Sequence, residues 1–160
     1  MTKTIDHALT YEGASAEQVY AMLGDEKFRN LVCDAQRVIR KDVSITPAGE
    51  GMTVRIEQVQ TAQGIPSFAT KFVGEEITIL QEEQWASPTQ GTVHVSIPGK
   101  PGEMNGTITI SESGGTTTET VHMDCKVSIP LVGGKIEGLL VDLLTKALKA
   151  ENRVGRDYLA

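Results

Sequence analysis

Hydrophobic and polar positions alternate through the first dozen residues. Ile5, His7, Leu9 and Tyr11 fall on one side, with Asp6, Ala8, Thr10 and Glu12 on the other. A period of two is the pattern of a half-buried strand, and Gly13 ends it. Ser15 with Gln18 three residues later makes a capping box. It opens a helix carrying Val19, Tyr20, Met22 and Leu23, with Gly24 suited to its C-terminal end. Asp25 caps a second short helix, whose predicted apolar face is Phe28, Leu31, Val32 and Ala35.

After Gln36 the period returns to two. Ile39, Val43 and Ile45 share a face, Pro47 to Gly51 is a turn, and Met52, Val54 and Ile56 continue onto Gln58 and Gln60. Between Ile65 and Gly74, Pro66 fits a first helical position and Gly74 a C′ position, while Phe68 and Phe72 lie four apart. That spacing predicts a short inserted helix. Four more strands follow, over 76–86, 91–97, 104–112 and 116–129. On the last, Val121, Met123, Cys125, Val127 and Ile129 face one way, and Pro130 closes it.

From Gly134 a helical pattern runs nearly to the end: Ile136, Leu140, Leu143, Ala147, Ala150, Val154 and Tyr158 step by threes and fours. Leu139, Val141, Leu144 and Leu148 widen this stripe in the first half, which predicts that this half is the more deeply covered. Short connections between consecutive strands imply an antiparallel meander. Its apolar face needs a cover, and the last helix is the largest available. The expected architecture is α+β. A seven-stranded curved antiparallel sheet grips a long C-terminal helix, with two short helices after strand 1 and a short helix inserted between strands 3 and 4. No linker or repeat divides the chain, so residues 1–160 read as a single domain.

Composition changes this picture in three respects. The net charge is −6, and between Gly74 and Cys125 the only Lys or Arg is Lys100, among eight acidic residues. Such a surface repels a phosphate backbone, so nucleic acid is excluded as a partner. No apolar run approaches the ~20 residues that span a bilayer, so no integral membrane association is expected. The opening residues read as a strand and not as a leader, which predicts a cytoplasmic protein with reduced thiols. Cys33 and Cys125 lack Cys or His neighbours at metal-ligand spacing; no metal and no cofactor is expected. Finally, three Phe, three Tyr and one Trp leave an interior built mainly of aliphatic side chains.

The T-I-D-H-A-L-T-Y start, the G-I-P-S-F-A-T-K-F-V-G insert, the L-Q-E-E-Q-W strand and the S-I-P-L-V-G-G-K-I-E junction together resemble the START-like (helix-grip, SRPBCC) superfamily. The likeness is nearest to a bacterial branch of unassigned function and covers essentially the whole chain. The insert departs from the superfamily's minimal pattern. The resemblance implies a cavity between sheet and long helix that takes a hydrophobic small molecule or lipid.

The residues themselves place polar side chains on inward stripes: His7, Gln58, Gln60, Gln81 and Glu83. Buried without partners, each would cost roughly 1–3 kcal/mol or more. His7 reads either as a satisfied core histidine or as a pocket residue. The glutamines and Glu83 read either as strand ends meeting water or as cavity lining. Trp85 and Tyr11 are core or rim anchors, and Met52 and Met123 are gap-fillers or adaptable walls. Val54, Ile56, Val95, Ile108 and Cys125 from the sheet, with Ile136, Leu140 and Leu143 from the helix, complete the candidate ligand-binding set.

In a meander alternate connections share an end, so the 65–74 insert, the 98–102 loop and the 130–134 junction should cluster. That puts Phe68 and Phe72 at the mouth, as lid or as plug, and predicts aliphatic walls with aromatic rings at the rim. Catalysis has little support. His94 and His122 fall on outer faces, Glu82 and Glu83 point to opposite sides of one strand, and no catalytic residue is assigned. Two alternatives to ligand binding stand: an interaction module with a collapsed cavity, and a cyclase- or hydratase-type enzyme using His7 or Tyr11. A monomer or a homodimer is expected, the latter through a sheet edge or an outward side of Leu139, Leu144 and Leu148.

Overall fold

The computed structural model describes residues 2–160. Strand β1 (Thr2–Glu12) leads into helices α1 (Ala16–Leu23) and α2 (Glu26–Ala35), then the hairpin β2 (Arg40–Ala48) and β3 (Gly51–Thr61). Helix α3 (Ser67–Val73) follows. Strands β4 (Glu76–Ser87), β5 (Gln90–Ser96), β6 (Glu103–Ser113) and β7 (Thr116–Lys126) complete the meander before helix α4 (Gly133–Leu159). The seven strands form one sheet in the order β1-β7-β6-β5-β4-β3-β2, every neighbouring pair antiparallel. The expected α+β architecture is the observed one.

Local chemistry explains most boundaries. Ser15 accepts from the Gln18 N–H at 3.1 Å while the Gln18 side chain accepts from the Ser15 N–H at 2.8 Å, so the capping box is complete. Asp25 caps α2 by accepting from the Lys27 N–H at 2.9 Å. Pro66 precedes α3 instead of starting it, because its ψ of 147° is extended. Strand β7 stops at Lys126, three residues short of the expected end. There the Val127 N–H donates to Glu137 Oε2 at 2.8 Å and leaves the ladder.

Two expected faces are corrected. On α2 the buried side is Phe28, Arg29, Val32 and Cys33, while Leu31 is 40% exposed and Ala35 is also exposed. An arginine takes the inward place assigned to a leucine because it meets a buried acid. On α4 cover is not deepest throughout the first half. Gly133, Ile136 and Glu137 are buried at its start and Leu148, Ala150, Glu151 and Gly155 further on, whereas between them Leu139, Leu140 and Leu144 are only half-buried and Leu143 is exposed. The physical reason is empty space beneath this middle stretch.

The second half of α4 lies close to β1. A Cβ on Gly155 would stand 2.7 Å from Tyr11 Cε1, and Tyr11 is itself buried. Gly138 on the same helix is open apart from the flexible Lys3 Nζ. Opposite outcomes are therefore expected from adding side-chain atoms at these two glycines. Gly155→Val should lower stability by about 1–3 kcal/mol through overpacking. Gly138→Ala should raise it by up to about 1 kcal/mol through backbone entropy. Urea unfolding of both variants checks the pair.

Candidate functional site

Between the concave face of the sheet and α4 lies a cavity of about 410 Å³. Strand parity builds its wall. Ile56 and Gln58 come from β3, Gln81 from β4, Val95 from β5, Ile108 from β6 and Met123 from β7. Helix α4 adds Ile136, Leu140 and Leu143, and α3 adds Phe72. Exposed wall residues Thr61, Gln63, Leu143 and Lys146 mark the open side. Leu139, Leu144 and Leu148 also line the cavity, Leu148 buried and the other two half-buried.

The other expected site residues lie elsewhere. Met52 and Val54 share the face of Ile56 but are buried at the end that α1 and α2 fill. The Met52 sulfur packs under Gly24, 3.2 Å from where a Cβ would stand. Trp85 meets Tyr20 edge-to-face at 5.7 Å between centroids. His7 is half-buried on β1, off the cavity wall. Tyr11 abuts Gly155. Cys125 is fully buried behind the wall, its thiol pushed up to about 11 by burial and by Glu137.

The mouth is assembled as loop geometry predicts. Lys135 Nζ stands 5.9 Å above the Phe68 ring, tying α3 to the start of α4. A Cβ on Gly102 would lie 3.8 Å from the Phe72 ring, bringing in the loop before β6. Of the aromatic residues only Phe72 lines the cavity, so the walls are aliphatic.

The inner end of the cavity is charged. Arg29 reaches in from α2, and its Nη1 and Nη2 donate to the two oxygens of Glu83 at 3.0 and 2.8 Å. Arg29 Nε donates to the Leu23 carbonyl at 2.7 Å. Glu83 also accepts from Gln81 Nε2 at 2.5 Å and Trp85 Nε1 at 2.9 Å. Both partners are buried, at 3% and 1% exposure. Burial opposes the charge on Glu83, but the Arg29 guanidinium and these donors hold its carboxyl below the ordinary range.

Two more carboxyls share this end: Glu119 from β7 and Glu151 from α4. Burial and mutual repulsion raise Glu119 well above the usual carboxylate range, and burial raises Glu151. The two carboxyls lie close enough for each to perturb the other's titration. Burial and these same acids push the Tyr11 hydroxyl up strongly.

Sequence reasoning picked out Glu83 but missed Arg29, Glu119 and Glu151. A signal existed. Glu119 has the parity of Val121 and Met123, Glu151 follows Ala147 by four, and Arg29 precedes Cys33 by four. Charged residues on apolar stripes were the trace left by the cluster.

This geometry can be set beside known proteins. A family model described as a protein of unknown function (DUF2505) matches residues 6–159. The chain belongs to the DUF2505 family. The uncharacterized protein Rv0481c of Mycobacterium tuberculosis is 25% identical to this DUF2505 protein, over 96% of this chain and 94% of the relative. Among solved structures, a START superfamily protein from Mycobacterium smegmatis aligns with a TM-score of 0.59 at 16% identity, covering 96% of this chain and 97% of that one. Truncated norcoclaurine synthase from Thalictrum flavum aligns at 0.62 with 16% identity, covering 96% and 93%. At these identities the likeness is one of fold, and the fold is START-like. No helix among the described residues is long and apolar enough to cross a membrane.

Two stability predictions follow from the charged end. Arg29→Met leaves Glu83 buried without its cation and should cost about 3–5 kcal/mol. Glu119 and Glu151 act in the opposite sense. Their raised values mean that the folded chain keeps a proton the unfolded chain releases above about pH 4.3. That stabilisation is complete below about pH 4.3 and is lost as pH rises through the folded values. Glu119→Gln should therefore raise the urea midpoint clearly at about pH 8 and hardly at about pH 4.5, where the carboxyl is already neutral. Denaturation at both pH values checks the sign.

Proposed function

We propose that this protein binds a hydrophobic small molecule or lipid in the cavity between the sheet and α4. One observation carries the reading: about 410 Å³ of space walled mainly by aliphatic side chains, with Arg29, Glu83, Glu119 and Glu151 gathered at the inner end. Small-molecule sites commonly enclose roughly 300–1,000 Å³, mostly apolar with a few placed polar groups. The START-like fold supports it, and so does the thin cover over the 139–144 stretch of α4, where leucines face open space instead of packed side chains. The same volume weighs against an interaction module with a collapsed cavity.

A second reading draws on Glu119 and Glu151. Two carboxyls held toward their neutral form beside an apolar cavity put proton donors within reach of a bound molecule. A cyclase- or hydratase-type activity would use that pair, and not His7, which is off the wall.

Native mass spectrometry of protein from its expression host tests the binding reading, with calorimetric titration of n-decanol as a second measure. The expected results are a co-purifying adduct of lipid size and saturable n-decanol binding. Ala147→Trp, which places an indole in the cavity from α4, should abolish both without lowering the unfolding midpoint. Absence of adduct and of n-decanol binding in the wild type overturns the reading, as does undiminished binding by the variant.

A further inference from the structure

The inner end of the cavity carries more acid than the protein neutralises. Arg29 and Glu83 pair with each other, Arg29 Nε goes to the Leu23 carbonyl, and the Gln81 and Trp85 donors also go to Glu83. Glu119 and Glu151 are left over. They are 2% and 9% exposed, and both line the cavity. Glu119 Oε1 and Glu151 Oε2 receive no hydrogen bond from any donor among the described residues. The other cation on the wall, Lys146, is exposed at the open side.

Charge balance points the same way. The Arg29–Glu83 pair is neutral as a unit, so no buried cation among the described residues is left over to face Glu119 and Glu151. Buried polar oxygens without donors are rare because each forfeits its hydration. A cavity that places two such carboxyls at the end of an aliphatic wall is shaped for a molecule that brings donors and positive charge.

We propose that the cavity selects an apolar molecule bearing a protonated amine, whose ammonium group donates to Glu119 and Glu151 while its hydrocarbon part lies along the aliphatic wall. This assignment rests on the reading of the cavity as a small-molecule site. An ammonium offers three donors and no acceptor, matching oxygens that lack donors. A fatty-acid carboxylate offers no donor and would bring a further acceptor to oxygens that already lack a donor. An alcohol brings one donor and no charge, so it falls between them.

Calorimetric titration of the full chain with n-decylamine, n-decanol and decanoic acid at about pH 7 tests the ranking with one tail and three heads. The amine is expected to bind tightest, exceeding the acid by at least about tenfold, as a charge-assisted contact in a buried site provides. In the double variant Glu119→Gln with Glu151→Gln, the amine should fall to within about twofold of n-decanol, whose own affinity stays as in wild type. Decanoic acid binding as tightly as the amine overturns the assignment, as does an amine advantage that survives in the variant. The wild-type ranking decides the matter even if the variant fails to fold. Binding of n-decanol without preference for the amine overturns the head-group assignment and leaves the cavity reading standing. Binding of none of the three overturns both.

Discussion

One helix cannot cover seven strands. Strands about 4.8 Å apart make a surface roughly 29 Å across, close to three times the ~10 Å diameter of a helix with its side chains. Everything else in this molecule answers that mismatch. Curvature brings the sheet around α4, α1 and α2 fill one end, and α3 with its neighbouring loops stands at the other. What the helices leave uncovered is the cavity. The half-buried leucines of α4 are therefore a consequence of the architecture and not a packing fault.

The charged cluster lies where the filled end meets the empty one. Trp85 and Gln81 flank Glu83 on alternate inward positions of β4, and their donors reach it from opposite sides of the sequence. Arg29 arrives from the helix that closes the filled end. A buried ion pair is seldom more stable than apolar side chains of the same size, so its place at this boundary is better explained by what it does to the cavity. It fixes a polar end, consumes the one buried cation among the described residues, and leaves one oxygen each of Glu119 and Glu151 without a donor. The cavity is therefore mainly aliphatic along its walls and carries its acids at the inner end.

Much of this was legible in the chain. Period-two runs and short turns yielded the meander, and the Ser15–Gln18 box and Asp25 located both short helices. The alternation on β7 named its inward side correctly as far as Cys125, the last inward residue of the strand. Legibility failed where a residue's type and its position disagreed. Leu31 looked inward by type and is exposed, while Arg29 looked outward by type and is buried. Glu119 and Glu151 were passed over for the same reason. Each lay on an apolar stripe, and an acid is counted as surface until a partner for it is known. His7 shows the converse, since inward parity on β1 did not carry it to the cavity wall.

The division between the two sources of information is physical. Secondary structure depends on contacts within a few residues, so spacing and capping in the sequence by themselves determined the elements, their order and the START-like fold. Which inward positions face packed side chains and which face open space depends on elements far apart in the chain. Met52 and Ile56 share one face of β3, yet one lies beneath α1 and the other on the cavity wall. The burial of Arg29, its pairing with Glu83 54 residues away, and the meeting of Glu119 with Glu151 arise only when α2, β4, β7 and α4 converge. The energy of a buried charge is set by its neighbours in space, and those neighbours were decided by tertiary structure alone.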